Sequence, residues 1–168
     1  MTEETMVART VINAAADTVF DLLADPSTHA SIDGTGWVRK PVDGDRLTGT
    51  GQIFRMGMYH DNHPPNKDYE MANRSRCSIG HVPSRGSPER NRATFPVGKD
   101  STTTPPVEYG GWLWRYHLEP VGTDQTEVTL TYDWSRVPRP RDIEFPPFPP
   151  RQHLDNSLTH LAELAERG

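Results

Sequence analysis

The segment from Glu108 to Trp134 constrains this chain more than any other, because it reads as two long amphipathic strands folded back on each other. Trp112, Trp114, Tyr116 and Leu118 alternate with Leu113, Arg115, His117 and Glu119. A turn follows at Gly122-Thr123-Asp124, and then Val128, Leu130, Tyr132 and Trp134 alternate with Glu127, Thr129, Thr131 and Asp133. A strand sends successive side chains to opposite faces, so each strand has one apolar face. The β-branched and aromatic residues and the turn chemistry together predict a hairpin. Its inner face is crowded with rings in a chain with only 8% aromatic residues. Such a face forms either a bulky core or the wall of a cavity.

The elements around the hairpin predict what it packs against. Thr5 to Ile12 is a strand by alternation. Asn13 is placed to cap a helix over 14–24, with Val19, Phe20 and Leu23 as its apolar stripe. Asp25-Pro26 ends that helix, and a short second helix is expected around Ser27 to Ser31. Gly34 to Val42 and Arg46 to His60 read as strands, the latter with Phe54, Met56, Met58 and His60 on one face. Lys67 to Arg74 reads as a strand with Tyr69 and Met71 together. Residues 136–150 hold six of the sixteen prolines and form an extended connection. Arg151 to Arg167 is an amphipathic helix with Leu154, Leu158, Leu161 and Ala165 on one stripe. Strand, helices, a run of strands and a terminal helix imply an α+β fold. A curved antiparallel sheet with the long helix across its concave face buries both apolar surfaces.

Bulk properties narrow the function classes. A length of 168 residues suits one domain, here 1–168. The net charge of −5 speaks against general nucleic-acid binding. The single cysteine, Cys77, excludes an intrachain disulfide and a cysteine metal cluster. The acidic start lacks a signal core, and no run reaches the ~20 apolar residues of a membrane span, so a cytoplasmic location is expected.

Motifs with chemistry are sparse. His60-Asp61-Asn62-His63, with His29 and Asp68 as further candidates, offers metal-ligand atoms, but it sits beside Pro64-Pro65 and reads as a solvated turn. No metal and no cofactor are expected. Ser135, His117 and Asp133 supply the residue types of a hydrolytic triad without a nucleophile elbow, and His117 lies on the face opposite the indoles. No phosphate loop is present. Asp33, in Ile32-Asp33-Gly34-Thr35-Gly36, reads as a turn residue bonding its own backbone, with a place at a cavity mouth as the alternative.

The run from Val7 to Pro26, then His29 and the Ile32 to Gly36 motif, resembles the START-like (SRPBCC) superfamily, in its polyketide cyclase/dehydrase-like branch. Gly111-Trp112 through Glu119-Pro120 resembles its late strands, and Thr131-Tyr132-Asp133-Trp134-Ser135 an actinobacterial-type subgroup. The resemblance covers residues 5–74 and 105–167. It implies a helix-grip fold: an antiparallel sheet around a long C-terminal helix, with a hydrophobic cavity between them. The cavity lining would be Phe20, Leu23, Phe54, Met56, Met58, His60, Tyr69, Met71, Trp112, Trp114, Tyr116, Tyr132, Trp134, Leu154, Leu158 and Leu161. The expected partner is a small hydrophobic molecule, lipid or polyketide-like, bound by a monomer or homodimer. The alternatives are a polyketide aromatase/cyclase or dehydrase using tyrosines or His60 for proton transfer, and a stress-related or co-chaperone-like interaction module using the outer sheet face.

One segment departs from this pattern. Ser75 to Pro96 has no period-2 apolar face, and Pro83 and Pro88 oppose a central strand. From Arg74 to Lys99 there are six basic residues and one acidic, whereas the rest of the chain has twelve and twenty-two. Residues 74–100 therefore read as irregular, either translated out of frame or a genuine divergent loop, such as a disordered basic insertion. A shift that gives each codon the last base of one original codon and the first two of the next turns Cys77 into an apolar residue. GC-rich codons then permit a strand, turn and strand ending in Ala-Trp, as family members carry here. Sequencing the gene across codons 70 to 100 separates the two readings.

Overall fold

The computed structural model describes residues 4–42, 45–48, 52–59, 68–75, 91–95, 112–136 and 151–167. The elements run β1 (Thr5–Ile12), α1 (Ala16–Leu23), α2 (Pro26–Ile32), β2 (Val38–Pro41), β3 (Ile53–Tyr59), β4 (Asp68–Ser75), β5 (Asn91–Phe95), β6 (Trp112–Pro120), β7 (Thr126–Asp133) and α3 (Arg151–Glu166). The strands form one antiparallel sheet in the order β1-β7-β6-β5-β4-β3-β2. The first and last strands are thus neighbours, and α3 packs against β1 and β7 and against both short helices.

The β6–β7 hairpin forms in the expected phase. Trp114 pairs with Tyr132, Tyr116 with Leu130 and Leu118 with Val128, so the apolar sets share one face. β1 adds Ala8 opposite Leu130 and Thr10 opposite Val128. Leu154, Leu158, Leu161 and Ala165 of α3 are buried against this face, as their spacing predicts. Burying each leucine contributes about 1.5–3 kcal/mol relative to exposure.

Several boundaries differ from the sequence reading. α1 begins at Ala16, and the residue before it, Ala15, makes no side-chain cap. Asn13 instead ties chain ends together: its backbone N–H donates to Glu166 Oε1, and its Oδ1 accepts from Gln125 Nε2. Asp25 caps α2, accepting from Ser27 N at 2.9 Å, with Pro26 in the first turn. β2 is only four residues because the chain from Asp33 to Trp37 is held in a turn. β3 starts at Ile53, since Leu47 leaves the sheet to donate its N–H to the Ala24 carbonyl. β5, at Asn91–Phe95, lies inside the segment read as irregular; it pairs with β4 through Arg74↔Thr94 and with β6 through Ala93↔Trp114. The rest of that segment, and the proline-rich connection beyond Arg136, fall outside the described residues.

Candidate functional site

The concave side of the sheet carries two separate apolar clusters. One joins β1, α1, β6, β7 and α3 around Ile12, Val19, Leu118, Val128, Leu130, Leu158 and Leu161. The other joins Ala24, Leu47, Phe54, Met56 and Met58 beneath α1 and β3. Phe20 packs against both and is only partly buried. Trp114 and Tyr116 border the first cluster, Trp37 and Val38 the second, and these too are only partly buried. Large rings thus keep accessible surface at the edges of both clusters.

The expected lining residues divide accordingly. Leu23, Phe54, Met56, Met58, Leu154, Leu158 and Leu161 are buried in the clusters, and Tyr132 and Trp134 nearly so. Trp114, Tyr132 and Trp134 stack as a ladder, with centroids 4.3 Å apart for the first pair and 5.3 Å for the second. Phe20, Trp114 and Tyr116 are only partly buried against the first cluster. Tyr69, Met71 and Trp112 occupy register positions on the same sheet face, opposite Met58, Met56 and Phe95. His60 lies outside the described residues, as does His63.

Tyr116 carries a hydroxyl among these partly buried rings. Burial first, and the negative charge of Asp33 second, push its phenol well above the usual range. It therefore stays protonated at neutral pH and can donate a hydrogen bond. Asp33 is held in place by its own turn. Its carboxylate accepts from Thr35 N at 3.1 Å, Thr35 Oγ1 at 2.8 Å, Trp37 N at 2.9 Å and Val38 N at 3.1 Å. The turn role read from the sequence is thus met, and the fixed carboxylate is the charge that acts on Tyr116.

The turn is anchored on α3. Gly34 N donates to Ser157 Oγ at 2.8 Å, and a Cβ at Gly34 would lie 2.1 Å from the His153 carbonyl oxygen. Only glycine permits so close an approach. His160 Nδ1 lies 3.3 Å from the Ile32 carbonyl oxygen, and the Trp37 ring stands edge-on to His153 at 6.2 Å. Trp37 and Ser157 were not expected at the site. The glycine-rich turn signalled a close approach, but nothing local in the sequence named α3 as the surface approached.

Other candidate chemistry disperses. His29 is deeply placed, its Nε2 is 2.8 Å from the Leu23 carbonyl, and burial holds its pKa below the usual imidazole value. The neutral ring therefore donates through Nε2. Asp133 pairs with Leu113, whereas His117 pairs with Thr129, four residues along β7 and roughly 13 Å away. No triad forms. Burial opposes ionisation of Asp133, but hydrogen bonds from Ser135, together with Arg115 and Arg136, outweigh it and keep the carboxyl below its ordinary range. Among the described residues no helix is long and apolar enough to cross a membrane.

No family model and no curated protein matches this chain. Solved structures do match over nearly the full length. A protein from Chromobacterium violaceum superposes with a TM-score of 0.60 at 18% identity, covering 98% of this chain and 99% of its own. The Zhui aromatase/cyclase from Streptomyces sp. R1128 gives 0.56 at 15% identity, covering 97% and 93%. A START superfamily protein from Mycobacterium smegmatis gives 0.54 at 14% identity, covering 98% and 99%. With this sheet order and this terminal helix, the chain has the α+β START-like, helix-grip fold.

Proposed function

We propose that this protein binds a small hydrophobic molecule between the concave sheet face and α3. The observation that carries the reading is the division of the core into two clusters, with Phe20, Trp37, Trp114 and Tyr116 keeping accessible surface between them. Ligand sites of this kind are mostly apolar with a few placed polar groups. The aromatic ladder supplies apolar surface, and the Tyr116 hydroxyl supplies a donor. Native mass spectrometry of the protein isolated from cell extract tests the reading. A retained apolar mass, displaced by organic solvent, is the expected result. Protein that is always ligand-free and binds no naphthalene in titration overturns it.

The protonated Tyr116 phenol favours a second reading, an aromatase/cyclase like the Streptomyces neighbour, acting on a polyketide-like substrate. A protonated phenol can polarise a substrate carbonyl while the cavity holds the chain in a reactive conformer. Incubation with a poly-β-ketone substrate tests it: faster cyclisation that falls at least about tenfold in Tyr116→Phe is expected. An unchanged spontaneous product ratio returns the protein to binding alone.

A further inference from the structure

The charges of the sheet are segregated by face. Among the described side chains of β1, β3, β6 and β7, every position on the concave side is uncharged, and its polar members are Tyr and Thr. The opposite face carries Arg9, Arg55 and Arg115, on β1, β3 and β6. The buried stripe of α3 adds only leucine, alanine and Ser157. Among the described side chains of these strands, the basic residues that a bound anion needs are therefore on the wrong side of the sheet. The carboxylate of Asp33 is fixed by four donors of its own turn, and its negative charge acts on Tyr116.

Building on the binding reading above, we infer that the polar end of the proposed site takes a neutral, oxygen-bearing apolar molecule, such as an aryl ketone, through the Tyr116 hydroxyl, and rejects carboxylates, fatty acids included. A ketone oxygen accepts one hydrogen bond from the phenol and brings no charge into the interior. A carboxylate would be desolvated without a cation and placed near Asp33. An unpaired buried charge costs far more than a neutral group that keeps its hydrogen bond.

Three probes of similar shape separate the possibilities by calorimetric titration: naphthalene, 2-acetylnaphthalene and 2-naphthoate at neutral pH. The ketone is expected to bind tightest, and naphthoate at least about a hundredfold more weakly. In Tyr116→Phe, the ketone should lose about five- to tenfold in affinity while naphthalene is unchanged. The melting temperature of the variant confirms that it is folded. Naphthoate binding as tightly as the ketone overturns the inference and leaves the binding reading standing. Loss of naphthalene and ketone affinity alike in the folded Tyr116→Phe variant also overturns it, because the hydroxyl would not then select the oxygen. Failure of all three probes on the parent protein removes the binding reading itself.

Discussion

The two ends of the sheet–helix interface are filled in different ways. At the end near the β6–β7 turn, Ile12, Leu118, Val128, Leu161 and Ala165 interlock, each buried, and Asn13 holds the last turn of α3 and the hairpin together. Elsewhere, Trp114 and Tyr116 are partly buried at the edge of the first cluster, and the turn that holds Trp37 is bonded to α3 through Gly34 and Ser157. Aliphatic side chains close the first end. Rings and a polar turn leave accessible surface at the second. The first end is the filled part of the core, and the second is where the proposed ligand would sit.

The contrast can be broken at either end. Leu161→Ala should cost most, about 3–4 kcal/mol in chemical denaturation, because no neighbour at the filled end can collapse into the space. Naphthalene affinity should hardly change; a large fall in affinity would show that the two ends are coupled. Gly34→Ala should cost about 2–3 kcal/mol, since its Cβ meets the backbone of α3 rather than a yielding side chain. It should also weaken ligand binding, because the turn that carries Asp33 and Trp37 must shift. Ser157→Ala removes the acceptor of the Gly34 N–H and should cost about 1–2 kcal/mol, with a smaller effect on affinity.

The smallest expected effect is one of pH. His29 has its pKa lowered in the folded protein, chiefly by burial. Its contribution is therefore fully present above the unfolded value of about 6.5 and is lost as pH falls below it towards the folded pKa. Melting temperature should drop between pH 7 and 5 more steeply in the parent than in His29→Gln. Identical slopes would show that another group controls this window.

The parts legible in the sequence share one property, a strong local period. β1, β6, β7 and α3 appear where alternation or helical spacing places them, because pleat and helix pitch act over a few residues. β5 was hidden for the same reason. Asn91, Ala93 and Phe95 share a face with one large apolar side chain among them, so the period is weak. Pairing on both sides, with β4 and β6, makes this segment a strand. Asn13 was misread because a capping residue type can also bond across the fold, and here it joins three distant elements.

By itself, the sequence determined which side chains face together: the rings of the hairpin and the leucines of α3. It could not determine how far each end of the interface is filled. That depends on where the Asp33 turn meets α3, a contact between Gly34 and Ser157 separated by 123 positions. Alternation fixes a face within one strand. The meeting of a turn, a helix and the Tyr116 hydroxyl depends on closure of the whole chain, and only the tertiary structure sets it.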